Sequence, residues 1–340
     1  MEKLIRSLHH VTATADDAQA DLDCYGSLLG LRLVKKTVNF DNHNVYHFYY
    51  GNEQGQPGTI WTTFPYRGWG VPVGRKGAGQ ITATSFSVPA ASLDYWKQRL
   101  RGAGVPVMDV APRFGEASIS FGDPSGLVIE LVGNDRDDRT PWATNDVDAA
   151  FAIRGLHSVT LTIRSPARTL ALLTEVLGFE IVGAEESRTR LAVNGDAPGK
   201  TIEIVHAPDA PPALNGLGTV HHVALAISDA DEQLRMRAEL IRLGLQVTEV
   251  RDRQYFRSIY FREPGGVLFE IATVPPGFTV DETLPCLGQD LKLPPWEEPN
   301  RAAIERGLPQ VSRCRRHRCP RTAGNRWSRP ACRWPSAALP

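Results

Sequence analysis

One pattern recurs four times along the 340-residue chain and constrains its fold more than any other feature. LHHVTATA from Leu8, ITATSFSV from Ile81, LHSVTLTI from Leu156 and VHHVALAI from Val220 each read as a strand running into a helical stretch. Each repeat closes on a turn and an apolar alternation: QPGTIWTTF (56–64), FGDPSGLVIELV (121–132), APGKTIEIV (197–205) and FREPGGVLFEIA (261–272). A Pro-Gly or Pro-Ser turn feeding alternating apolar residues predicts a hairpin and a final strand. The unit is therefore strand–helix–strand–strand–strand, about 55 residues long. A repeat of that size cannot bury its apolar face alone. Two units together make a cupped, half-open barrel, so four make two barrels of mixed sheet, an α+β fold.

The expected modules are 7–66, 78–134, 153–208 and 218–273, with 274–311 wrapping the surface. In the second helix Leu93, Trp96 and Leu100 share a face, and in the fourth Leu234, Ala238 and Ile241 do; both are predicted to point inward. Gly30, Gly178 and Gly244 stand where helices end, and Ser165-Pro166 predicts an N-cap. Residues 66–80 hold five glycines but lack the lysine-Ser/Thr ending of a phosphate loop, and predict a connector, free to move as a flap.

Composition narrows the classes. With 42% hydrophobic and 22% charged residues the chain is an ordinary globular one. No apolar run approaches the roughly 20 residues of a membrane span, and Met1–Ser7 carry no signal-peptide core, so a cytoplasmic protein is expected. The zero net charge hides an asymmetry: eight arginines lie between Arg313 and Arg333, leaving residues 1–312 with 30 basic and 38 acidic side chains. An acidic body argues against a nucleic-acid partner. The tail at 312–340, poor in aliphatics and rich in Arg and Pro, is expected to be disordered, and reads as frame-shifted read-through without a share in the chemistry. Outside it only Cys24 and Cys286 remain, too few for a disulfide framework.

Register then selects side chains. Aligning the opening strands puts His10, Ala83, Ser158 and His222 in one column, and His9, His157 and His221 one residue off, facing the other way. Aligning the closing turns puts Glu130 and Glu270 in one column with Thr63 and Ile204, and leaves Glu203 one residue out of register. Two imidazoles and one carboxylate on one face form the facial triad of non-haem Fe(II). Pairing units 1 with 2 and 3 with 4 gives each barrel one His and one Glu. Pairing 1 with 4 gathers His10, His222 and Glu270, and is the expected arrangement. His9 and His221 read either as groups supporting the metal ligands, as acid–base groups, or as exposed partners of the doublets.

With these motifs the chain resembles the vicinal oxygen chelate superfamily, and over residues 7 to about 311 its ring-cleaving dioxygenases of the hydroquinone type. LGLRLVKKTVNFD (29–41), YHFYYGNEQGQPGT (46–59), RQYFRSIYFREPGGVLFE (253–270) and GFTVDE (277–282) carry the resemblance. It implies Fe(II), with Mn(II) as an alternative, held by His10, His222 and Glu270, and roles beside substrate for Thr12, Arg253 and Tyr260. It also implies a small aromatic diol and O2 as partners; charge and hydropathy lead to the expectation of no nucleic-acid or membrane partner, and homo-oligomerisation is left open. Two other readings stand beside it. A glyoxalase-like isomerase or lyase would recruit Glu130 as a fourth ligand, and a non-catalytic small-molecule sequestering protein would need no triad.

Overall fold

The structure, a computed structural model, describes residues 3–312, so the arginine-rich tail lies outside the described residues from Arg313 on. The first unit comprises β1 (Ile5–Ala15), α1 (Ala18–Leu22), β2 (Arg32–Asn39), β3 (Asn42–Gly51) and β4 (Ile60–Pro65). The second has β5 (Gln80–Val88), α2 (Leu93–Gly102), β6 (Val107–Arg113), β7 (Glu116–Gly122) and β8 (Val128–Gly133). The third has β9 (Gly155–Ile163), α3 (Ala167–Ala171), β10 (Glu180–Glu185), β11 (Arg188–Ala192) and β12 (Thr201–His206). The fourth has β13 (Thr219–Ile227), α4 (Ala230–Arg242), β14 (Arg251–Asp252), β15 (Arg257–Arg262) and β16 (Leu268–Thr273), and a short α5 (Arg301–Gly307) follows. Among the described residues no helix is long and apolar enough to cross a membrane.

The strands form two curled, eight-stranded mixed sheets. One runs β14-β15-β16-β13-β1-β4-β3-β2 and joins units 4 and 1; the other runs β10-β11-β12-β9-β5-β8-β7-β6 and joins units 3 and 2. This is the expected fold class and the expected pairing. Each opening strand lies between the opening strand of its partner unit, antiparallel, and its own closing strand, parallel. The helices pack on the sheets, where Leu22, Trp96, Leu100, Met236 and Leu240 join one large apolar core with the strands.

Four local findings differ from the sequence reading. First, alternation is interrupted at the doublets. The β1–β13 ladder steps from Leu8 to His10 and from Val220 to His222, leaving His9 and His221 as bulged residues. The β5–β9 ladder skips Thr82 and His157 in the same places. A bulge re-aims its side chain, so each histidine pair shares a side instead of facing apart. Second, in all four units the residue two places after the column of His10, Ala83, Ser158 and His222 pairs with the closing strand: Thr12 with Thr62, Ser85 with Glu130, Thr160 with Glu203, Ala224 with Glu270. Glu203 and Thr62 are thus in register, not Ile204 and Thr63. The QPGT and APGK turns are one residue shorter between proline and column than DPSGL and EPGGV.

Third, α4 turns the other way. Leu234, Ala238 and Ile241 are exposed, and Gln233, Met236 and Leu240 are buried. Gln233 Nε2 donates to the carbonyls of Arg257 and Ile271 at 2.8 and 2.7 Å, which fixes the inward face. Fourth, the 66–80 connector is no flap: it bridges to residues 212–217 at Val73, Arg75 and Ala78. A Cβ on Gly77 would stand 2.2 Å from the Pro211 carbonyl, so only glycine permits this crossing. The helix-end glycines do adopt left-handed conformations, whereas the cap of α3 is Pro166 without a side-chain bond, not Ser165.

Candidate metal centre

His10 and His222 project from adjacent antiparallel strands, offset by the ladder so that Thr12 faces His222. Glu270 lies on β16, parallel to β13. His10 Nε2 and His222 Nε2 are 3.3 Å apart, and Glu270 Oε2 is 3.3 Å from the first and 2.8 Å from the second. Bonds of about 2.1 Å at right angles would give edges of about 3 Å, against about 4.2 Å for a trans pair. The three atoms therefore have the spacing of donors that would sit cis to one another on one ion, with none trans to another. All three side chains are buried, and Glu270 Oε2 takes no hydrogen bond despite its enclosure. An orphaned carboxylate oxygen among imidazole lone pairs is costly unless a cation occupies the centre, so the donor set fits a divalent metal. Among the described residues this is the one group of three such side chains that converges so closely.

The surroundings fix the ligands. Ser258 Oγ donates to the other oxygen, Glu270 Oε1. His9 Nδ1 lies 2.9 Å from His10 Nδ1, and His221 Nδ1 lies 2.7 Å from His222 Nδ1. Ligation through Nε2 leaves the ring proton on Nδ1, so each ligand donates to the histidine before it. Burial, then the neighbouring His10, pushes His9 down to about 3; burial, then His222, does the same to His221. Both stay neutral acceptors.

A pocket of about 210 Å³ opens on the triad. That suits one aromatic ring, since benzene fills a cavity of about 150 Å³. Of the residues singled out in the sequence, Thr12, His221, Arg253 and Tyr260 line it beside the triad, and His9 sits behind, packed on His10 and Phe256. Tyr260 pairs directly with Glu270 across the β15–β16 ladder, so the two share a face. Arg253 Nε donates to Tyr260 Oη at 3.1 Å, and Arg253 Nη2 to Asp41 at 3.0 Å. Burial, then Glu270, raises the Tyr260 hydroxyl, which stays protonated. Sequence reasoning missed His47, Thr62, Asp41 and Ser258. For Thr62 the signal existed: it is the residue of unit 1 equivalent to Glu270.

Among the described residues the other barrel holds no such centre. Glu130 accepts from Ser85 and from both terminal nitrogens of Arg113, and Glu203 accepts from Arg188 and Arg190. His157 and Arg190 bind Glu116. Glu130 lies in the second sheet and is neutralised there, so it supplies no fourth ligand to the triad.

Residues 7–131 and 155–271 match the Glyoxalase/Bleomycin resistance protein/Dioxygenase superfamily. The chain belongs to that superfamily. It is 42% identical over 308 residues, 91% of this chain and 97% of the relative, to MhqO of Bacillus subtilis (strain 168), named as a candidate ring-cleaving dioxygenase. It is 38% identical over 302 residues, 86% and 93% of the two chains, to the chlorohydroquinone/hydroquinone 1,2-dioxygenase of Sphingobium indicum. A crystal structure of a candidate dioxygenase from Bacillus subtilis superposes with a TM-score of 0.87 at 42% identity, over 91% of this chain and 98% of that one. Glyoxalase I from Zea mays, 13% identical, superposes over 78% and 92% at 0.59 and shares the fold. At the identity of its relatives the superfamily member is an enzyme of the ring-cleaving dioxygenase group.

Proposed function

We propose that the chain opens a dihydroxylated aromatic ring of the hydroquinone type with O2, using Fe(II) held by His10, His222 and Glu270. The observation that carries this reading is the triangular convergence of three enclosed donors, one of them an orphaned carboxylate oxygen, on a pocket sized for one ring. A ferrous ion there would acidify a ligated phenol and supply the redox chemistry that joins ring and O2, and Mn(II) suits the same donors.

The protein's own groups do the rest. In a hydroquinone the second hydroxyl is para to the first and cannot reach the same metal, so the chain must meet it with hydrogen-bonding groups. Tyr260, polarised by the Arg253 guanidinium, donates to a substrate oxygen. His221, solvent-accessible at the pocket and neutral, accepts from His222 at Nδ1 and presents Nε2–H as a hydrogen-bond donor to a substrate or oxygen atom. His9, sealed behind His10, orients that ligand. Thr12 accepts from Thr62, leaving its own hydrogen to point into the pocket.

The test is anaerobic purification and metal analysis, then O2 uptake with hydroquinone, methylhydroquinone and catechol. One Fe(II) per chain and uptake with a para-diol are expected. Iron loading without uptake on any of the three overturns the substrate class, and failure to bind Fe(II) or Mn(II) overturns the whole reading.

A further inference from the structure

The pocket contains a third kind of histidine that neither holds the triad nor backs it. His47 comes from the middle of β3, two strands from β1 in the same sheet, and lines the pocket. Its Nε2 lies 2.9 Å from Thr62 Oγ1, and Thr62 Oγ1 donates to Thr12 Oγ1 at 2.9 Å. A hydroxyl has one hydrogen. With that hydrogen committed to Thr12, Thr62 can only accept from His47, so Nε2 bears the proton and Nδ1 the lone pair. No partner meets Nδ1 among the described residues. The ring is held between Tyr49 and Phe64, with centroids 4.0 and 4.2 Å away, and cannot readily turn.

The other imidazoles of the pocket are committed. His10 and His222 aim Nε2 at the triad, and His221 uses Nδ1 to accept from His222. Tyr260 and Arg253 are donors. His47 Nδ1 is thus the one imidazole lone pair that the described pocket leaves for a ligand. Burial above all, with the Arg253 charge nearby, holds the ring well below its usual range, so it is a neutral acceptor.

Resting on the proposed function, we propose that His47 Nδ1 accepts a hydrogen bond from the substrate hydroxyl that does not reach the metal, and so makes a second hydroxyl a condition of tight binding. A hydroxyl offers both a hydrogen for His47 and an oxygen for Tyr260; an ether or a halide in its place lacks the hydrogen and leaves Nδ1 desolvated and unpaired.

The test is anaerobic calorimetric titration of the metal-loaded enzyme with hydroquinone and with 4-methoxyphenol, whose para oxygen is capped. The wild type is expected to prefer hydroquinone by about tenfold, the worth of one buried hydrogen bond. His47→Gln, whose amide nitrogen can keep the bond to Thr62, and His47→Phe, which keeps the aromatic stack, are expected to bring that ratio within about twofold at unchanged metal content. His47→Asn, whose amide oxygen falls near Nδ1, is expected to retain the preference. An unchanged ratio in the Gln and Phe variants, with hydroquinone binding intact, overturns the inference alone, as does loss of the ratio in all three variants. A wild type that binds no hydroquinone overturns the proposed function, and this inference with it.

Discussion

Ser258 shows how much of the triad depends on a residue that touches no metal. Its hydroxyl holds Glu270 Oε1, leaving Oε2 aimed at the two imidazoles. Ser258→Ala is expected to weaken metal binding by about 10–100-fold while leaving the fold intact. Competition with a chelator measures this; unchanged affinity would mean that packing alone orients the carboxylate. A second buried carboxylate, Asp21, gives a pH-dependent effect of opposite kind. Burial pushes it up to about 7 against the hydrogen bonds from Thr63 and Tyr50, while the unfolded chain ionises near 3.8. Asp21 is therefore protonated in the fold at pH 5 and charged in the unfolded chain. The stability from this difference is complete below pH 3.8 and lost as pH rises to about 7, a span of about 4 kcal/mol. Asp21→Asn should remove that slope. Denaturation of the metal-free proteins at pH 4 and pH 8 decides it, and equal pH dependence in both would refute the assignment. At this scale His10, His222 and Glu270 were legible because strand periodicity placed them in equivalent columns. His47 was not: the phrase it lies in, YHFYYGNEQGQPGT, assigns it no role, and its meaning depends on Thr62, which only the pairing of β3 with β4 brings beside it.

Elements were legible where a local rule governs them and misread where a partner decides. The order of strands and helices follows from alternation and turn chemistry, and the glycine-ended helices from the left-handed cap. The bulges at His9 and His221 arise only when β1 meets β13, and no single segment announces them. The face of α4 is the clearest case. Leu234, Ala238 and Ile241 satisfied helical periodicity, but Gln233 reaches two carbonyls on β15 and β16, the strands that carry Tyr260 and Glu270. Gln233→Met, of similar length, leaves both carbonyls without that donor and is expected to destabilise the fold by about 2–3 kcal/mol. Leu234→Ser on the exposed face should stay within about 0.5 kcal/mol. Denaturant unfolding of the two variants compares them directly, and a larger loss for Leu234→Ser would restore the original face.

Over the whole molecule, one pleated frame is filled in two chemically opposed ways. The barrel of units 1 and 4 encloses one carboxylate beside two imidazoles, and a divalent cation and a phenolate together would cancel the charge of that carboxylate. The barrel of units 2 and 3 encloses carboxylates at two equivalent positions, Glu130 and Glu203, and cancels them internally with Arg113, Arg188 and Arg190, while Glu116 is shared with Arg190 and His157. The sequence pointed to the first barrel through its histidines. It did not reveal the second, because Glu203 seemed out of register and no repeated pattern relates Arg113 to Arg188 and Arg190. The division of roles is testable through Glu203, which is fully buried and bound by two arginines. Glu203→Gln removes one negative charge and leaves three arginines facing two carboxylates inside the barrel. Breaking one partner of a buried ionic set costs about 3–5 kcal/mol, because the remaining charges are left uncompensated. The variant should therefore unfold at markedly lower denaturant yet bind metal through His10, His222 and Glu270 as the wild type does. Loss of metal affinity at retained stability would mean that the second barrel tunes the first, and that the two do not divide structure from chemistry.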